Sequence, residues 1–103
     1  MAEEFDIGRV DEVIHGRIRL GAMAYLSGAG GVADFGEIKR KLATTDGNLS
    51  VHLSKLEEAG YIRIEKTYAG KKPLTRAHLT EAGWAAFRRY LDAIGALLAP
   101  AAQ

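Results

Sequence analysis

Between Asp46 and Ala59 the residues Asn48, Ser50, Val51, Ser54 and Lys55 share one side of a helical spacing, and Leu49, Leu53 and Leu56 share the other. Leucines at i, i+4 and i+7 form a stripe for burial, which turns the first set to solvent. That set has the chemistry of nucleic-acid recognition. An asparagine carboxamide can bond adenine in a bidentate way, and Ser50 or Ser54 can bond a base or a phosphate. Val51 suits a thymine methyl, and Lys55 suits a phosphate or a guanine. Thr45 and Asp46 stand at the start of the segment, where unpaired backbone N–H groups favour an anion; Asp46 would repel one, so it is read as the cap. An ordinary solvated helix face has a similar composition, so a second feature must point to the ligand.

The charge distribution supplies one. The chain carries a formal net charge of only +1. Residues 61–79 hold Arg63, Lys66, Lys71, Lys72 and Arg76 against Glu65 alone, whereas acidic side chains equal or outnumber basic ones in every other part. A concentrated cationic element on a near-neutral chain suggests a polyanion contact. Lys66, Lys71, Lys72 and Arg76 are the phosphate or minor-groove candidates. Gly70 supplies the tight turn, and Pro73 limits edge pairing. The competing reading is a hairpin that uses lysines to resist edge-to-edge aggregation. Arg19, further upstream, reads equally as a phosphate contact or as the partner of a nearby carboxylate.

The elements that must position these groups are legible from spacing. Residues 17–27 read as a first helix, with Ile18, Ala22, Tyr25 and Leu26 toward the core and Gly28, Gly30 and Gly31 ending it. A second helix covers about 34–43, with Asp34 in the N-cap position and Glu37 three residues on. A polar break at 44–47 precedes the third helix, 46–59, which stops at Gly60. In the stretch after it, Ile62 and Ile64 alternate with Arg63 and Glu65, a turn falls at Ala69-Gly70, and the chain returns through Leu79. Thr80 then caps a long last helix with Glu81 in its first turn, ending before Pro100. The first dozen residues read as a short helix or an arm. The expected fold is mainly α with a small β-hairpin (α+β), one domain over 1–103. It is a winged helix-turn-helix with the helix-turn-helix at 34–59, the wing at 61–79 and a long C-terminal helix at 80–99.

That last helix holds Trp84, Phe87, Leu91, Ile94 and Leu98 at alternating steps of three and four, a heptad seam widened by Tyr90 and Leu97. So much apolar surface reads as partly core and partly a two-fold dimer interface. A dimer would duplicate the recognition unit with the symmetry of a pseudo-palindromic duplex site. The alternative is a terminal helix lying across the first helix of its own chain.

Other chemistries find little support. Cysteine is absent, and His15, His52 and His78 share no metal-ligand spacing, so neither a disulfide nor a metal site is expected. His52 reads as a half-buried helix residue bonded to a neighbouring element. Residues 28–33 fit G-x-G-x-x-G/A, but that pattern needs a preceding strand and a parallel sheet, and here a helix precedes it; it is read as a loop. No nucleophile–base pair or paired acids emerge, so neither catalysis nor a cofactor is expected. No apolar run reaches membrane-spanning length, and the acidic N-terminus is unlike a signal peptide, which makes a cytoplasmic protein the simplest reading.

These strings, DGNLSVHLSKLEEAGYI over the third helix, GKKP in the turn region and LTEAGWAAF opening the last helix, resemble the small winged-helix transcriptional regulators of the MarR/ArsR-like group. Within it they look most like the stand-alone winged-helix DNA-binding proteins of about this size, over about residues 14–95. The resemblance implies a homodimeric, DNA-binding transcription factor, usually a repressor. It departs from the family at Val51, where members often carry a basic residue, which leaves Lys55 as the cation of the third helix. A small-molecule effector held between long helices is an expectation subsidiary to that reading. The rival reading is a winged helix that docks proteins without specific DNA binding.

Overall fold

The computed structural model describes residues 5–99. A 3-10 turn at Ile7–Arg9 leads to α1 (Arg17–Gly28), β1 (Val32–Asp34), α2 (Phe35–Leu42) and α3 (Asp46–Glu58). β2 (Ile62–Ala69), β3 (Lys72–Leu79) and α4 (Glu81–Leu98) complete the chain. The three strands form an antiparallel sheet in the order β1-β3-β2. The winged-helix expectation holds, with four helices and a wing that is a three-stranded sheet rather than a lone hairpin. The loop expected at 28–33 is cut short: the turn after α1 ends at Gly31, and Val32, Ala33 and the N-cap residue Asp34 pair with His78, Ala77 and Arg76.

The helices begin where short polar side chains can accept backbone N–H bonds. Asp34 accepts from the Glu37 amide at 2.8 Å, Thr45 from Asn48 at 3.1 Å, and Thr80 from Gly83 at 3.0 Å. The break between α2 and α3 is shorter than the residues 44–47 expected. Ala43 takes a left-handed conformation at φ 51° and closes α2. Thr45, not Asp46, is the cap of α3, and Asp46 and Gly47 already belong to its first turn. Pro100 lies outside the described residues, and α4 ends two residues before it.

The core joins every element. Ile18, Ala22, Met23 and Leu26 of α1 meet Ile38 of α2 and the Leu49, Leu53 and Leu56 stripe of α3. Ala33, Ile62 and Ala77 add the inner face of the sheet, and Phe87, Tyr90 and Ala93 add one side of α4. Each fully buried leucine or isoleucine contributes roughly 1.5–3 kcal/mol over its exposed state. The arm before α1 is part of this core through Val10 and Ile14. Two tyrosines hold it in place: Tyr90 lies 2.8 Å from His15 Nδ1 with the rings stacked, and Tyr61 donates its hydroxyl proton to Asp11.

The seam of α4 divides. Phe87 is buried and Ile94 half-buried against the core, whereas Trp84, Leu91 and Leu98 are 42%, 53% and 78% exposed. The exposed three are seven residues apart and form a strip along the outer edge of the helix.

α4 can reach the sheet only because residue 83 is glycine. A Cβ there would sit 2.0 Å from the Tyr61 carbonyl oxygen, which no side chain can occupy without shifting the backbone. Gly83→Ala is expected to cost at least about 2 kcal/mol, the middle of the usual range for overpacking, or roughly 8–16 °C in melting temperature. Gly95, in the same helix with open space around it, is the control: Gly95→Ala should gain up to about 1 kcal/mol. Thermal melts that place Gly83→Ala beside the unmodified protein would contradict this packing.

Candidate nucleic-acid interface

The α3 stripe settles which side chains face outward. With Leu49, Leu53 and Leu56 buried, Asn48, Ser50, Val51, Ser54 and Lys55 are all exposed, and so is Thr45. The Asn48 carboxamide has a local partner: its Nδ2 donates to Thr44 Oγ1 at 2.8 Å, which leaves its oxygen and second amide proton for a ligand. Asp46 pairs with Lys39 of α2 at 2.9 Å. That contact offsets the carboxylate at the helix N-terminus, where phosphate would otherwise be repelled. His52 is half-buried, but its Nδ1 is buried without the expected hydrogen bond to any of the described residues.

The wing stands beside α3. After Gly60, at φ 81°, the Tyr61 amide donates to the Leu56 carbonyl at 3.0 Å. The Ile64 amide donates to Glu57 Oε2 at 2.9 Å. Ile64 lies on the outer edge of β2, so its N–H points away from β3 and would be unpaired without Glu57. A groove of about 420 Å³ runs between the two elements, lined by Asp46, Ser50, Leu53, Ser54 and Glu57 of α3 on one side and Ile64, Lys66 and Thr75 of the wing on the other, with Phe35 of α2 closing one end. Glu57 and Thr75 escaped the sequence reading, because neither stands out in composition.

Strand register sorts the wing cations by face. β2 and β3 pair from Ile62–Leu79 to Ala69–Lys72, and directly opposed residues project to the same side. Ile62, Ile64, Lys66 and Tyr68, with Thr75 and Pro73 opposite, therefore face α3. Arg63, Arg76 and Lys72 face the other side. There Arg76 lies 3.9 Å from Glu65, and His78 Nε2 lies 2.8 Å from the same carboxylate. Of the four wing cations singled out, Lys66 continues the α3 surface directly. Lys71 sits in the turn, Lys72 beside it is exposed, and Arg76 is turned away and half-neutralised. The turn is at Gly70-Lys71, one residue beyond the expected Ala69-Gly70, with Gly70 at φ 66° in the first position as in a type II′ hairpin. Pro73 falls where β1 no longer covers β3, on a pair whose amides point outward, so its missing N–H leaves that edge unable to pair.

Arg19 of α1 is half-buried, and its Nε is buried without a hydrogen-bond partner among the described residues; it does not belong to the groove. No group of three or more metal-ligating side chains occurs among the described residues, and no helix there is long and apolar enough to cross a membrane.

A cationic hairpin held beside the exposed polar side of the second helix of a helix-turn-helix defines the winged-helix class. The model of the winged helix DNA-binding domain family matches residues 18–98, and the chain belongs to that family. An uncharacterized protein of Methanocaldococcus jannaschii is 34% identical over 80 residues, 78% of this chain and 86% of that protein. The structure of a transcriptional regulator homologue from Pyrococcus horikoshii OT3 superposes with a TM-score of 0.78 at 28% identity, covering 94% of this chain and 91% of the other. A MarR-family transcriptional regulator from Silicibacter pomeroyi superposes with a TM-score of 0.65 at 25% identity, over 82% of this chain and 56% of its own.

On the outer face of the wing, the hydrogen bond from His78, reinforced by the charges of His78, Arg76 and Arg63, holds the Glu65 carboxyl below its ordinary value. A carboxylate with a lowered folded-state pKa adds stability above the ordinary glutamate range and loses it as pH falls through the lowered value. Carboxyl-carbon NMR titration should therefore find Glu65 titrating below a free glutamate, and His78→Ala should move it back up. An unchanged Glu65 titration in His78→Ala would remove this contact from the account.

Proposed function

We propose that the chain is a homodimeric, sequence-specific DNA-binding transcriptional regulator that acts as a repressor by occupying a pseudo-palindromic operator. The observation that carries the reading is the shared orientation of two elements. The exposed polar side of α3 and the Lys66-bearing face of the wing border one groove, on one side of the molecule. In this reading α3 enters the major groove. Asn48, Ser50, Val51 and Ser54 meet base edges there, while Thr45 and Lys55 meet the phosphates beside them. Lys66, Lys71 and Lys72 track the flanking backbone and minor groove, and Arg76 adds a longer-range positive field.

Dimerisation is assigned to α4. The strip of Trp84, Leu91 and Leu98 is exposed on a single chain and spaced to meet itself about a two-fold axis, with Phe87 and Ile94 backing it from the core. Two α3 helices would then enter successive major grooves about 34 Å apart. Arg19 is left out of the interface, since its guanidinium is partly enclosed within the fold. The reading gives the chain no catalytic step.

Selection of duplexes from a random-sequence pool tests the proposal. A single enriched pseudo-palindrome is expected. If the dimer neutralises six to eight phosphates, log K should fall against log salt with a slope of about −5 to −7. Lys71→Ala with Lys72→Ala should weaken all sequences alike and flatten that slope, whereas Asn48→Ala should change preference among sequences. Leu91→Glu should give a monomer by light scattering, with binding reduced to that of one half-site. Salt-independent binding, or no enrichment, would favour a protein-docking module instead.

A further inference from the structure

The geometry points to Tyr68 as an aromatic contact of the wing with the minor groove, a side chain that reads the width and shape of the duplex flanking the helix-turn-helix site rather than its charge. The inference rests on the duplex reading above and adds a residue that charge patterning does not reveal.

Four observations converge on it. Tyr68 is 70% exposed, the most open aromatic in the wing. It lies on the face of β2 that carries Ile64 and Lys66, so it continues the α3 groove outward by one more pleat, about 7 Å beyond Lys66. Its cross-strand partner is Pro73, which has neither an amide proton nor a charge to offer, so the tip presents a flat apolar pair on that face. Beyond this pair come Ala69 and Gly70, the smallest residues available, with Lys71 and Lys72 beside them. The tip is thus thin, apolar on the α3 side and cationic at its margins.

A tyrosine in that place gains nothing for folding from α3, because the groove ends at Lys66 and Thr75. An aromatic ring cannot neutralise a phosphate. Its favourable surfaces in DNA are deoxyribose and the edges or faces of bases, reached through the minor groove, which is only about 6 Å wide and admits a thin element. The lysines at the margin would lie along the two phosphate ridges bounding that groove. Position therefore divides the wing's work: Lys66, Lys71 and Lys72 supply salt-dependent affinity, and Tyr68 supplies a contact that salt does not screen.

The test uses the full chain and duplexes enriched from a random-sequence pool by the unmodified protein. Tyr68→Thr keeps a strong strand former at the position and removes the ring; Tyr68→Phe keeps the ring. Tyr68→Thr should bind about tenfold more weakly with an unchanged salt slope, in line with the loss of one aromatic contact, and Tyr68→Phe should stay within about twofold of the original. Flanking G·C pairs are then replaced with inosine·cytosine, which removes the minor-groove amino group and leaves the major-groove edge of the purine intact. The unmodified protein should gain affinity by about threefold or more, and Tyr68→Thr should be indifferent. An unchanged salt slope in Tyr68→Thr shows that the hairpin lysines still meet their phosphates, so the comparison reports the ring and not a loosened hairpin. Equal responses of the two proteins to inosine, or a Tyr68→Thr loss below twofold, would overturn the assignment while leaving DNA binding standing. Failure of the unmodified protein to enrich any duplex would instead overturn the reading on which it rests.

Discussion

The placement of the wing depends on the few atoms around Tyr61. Its amide closes α3 on the Leu56 carbonyl, its carbonyl accepts the Thr80 amide at the start of α4, and its hydroxyl bonds Asp11 of the arm. Gly60 supplies the left-handed turn into it, and Gly83 lets α4 come within reach of its backbone. Thr80 Oγ1 donates to the Gly60 carbonyl at 2.6 Å from the same knot. Four elements thus meet at one residue, and the angle between α3 and the sheet is set there. Rotating β2 at this point would carry Lys66 away from Ser50 and Ser54 and split the candidate interface.

From that junction the remaining features sort by face. The side of the sheet toward α3 is apolar at its base, through Ile62 and Ala77, then polar at Lys66 and Thr75, then aromatic at Tyr68. The other side gathers Arg63, Glu65, Arg76 and His78, where opposite charges partly cancel. Field strength on the α3 side therefore comes from fewer cations than the count in residues 61–79 suggests. α3 itself carries Lys55 against Asp46, Glu57 and Glu58, with only Asp46 offset by Lys39 of α2, so hydrogen bonds and methyl contacts weigh more than charge on that helix. Joined to the arm through His15 and Tyr90, α4 connects its exposed strip to the helix-turn-helix by packed side chains rather than by a flexible linker.

Much of this was legible before any coordinates. The leucine stripe of α3, the caps at Asp34 and Thr80, and the alternation of Ile62 and Ile64 all express local rules. The third strand was not legible, because Val32–Asp34 is three residues long and pairs with a segment more than forty residues away. A run so short shows no alternation. The division of the α4 seam was hidden for a related reason: a heptad lists which residues share a stripe, but not which part the rest of the chain covers. The face of Arg76 follows from strand parity alone. A two-residue turn at either Ala69-Gly70 or Gly70-Lys71 opposes Arg76 to an odd-numbered residue of β2, away from Ile62 and Ile64. Tyr68 carries no charge, so only parity, which places it on the Ile62, Ile64 and Lys66 face, marks it.

The central requirement is that helix and wing engage one ligand at the same time. Titrating isotope-labelled protein with an enriched duplex and following backbone amides addresses it most directly. Amides of residues 46–55 and of residues 66–72 should shift together, with the same saturation curve, while those of the Arg63–Glu65–His78 face stay largely still. Shifts confined to one of the two elements, or centred on α4, would contradict it.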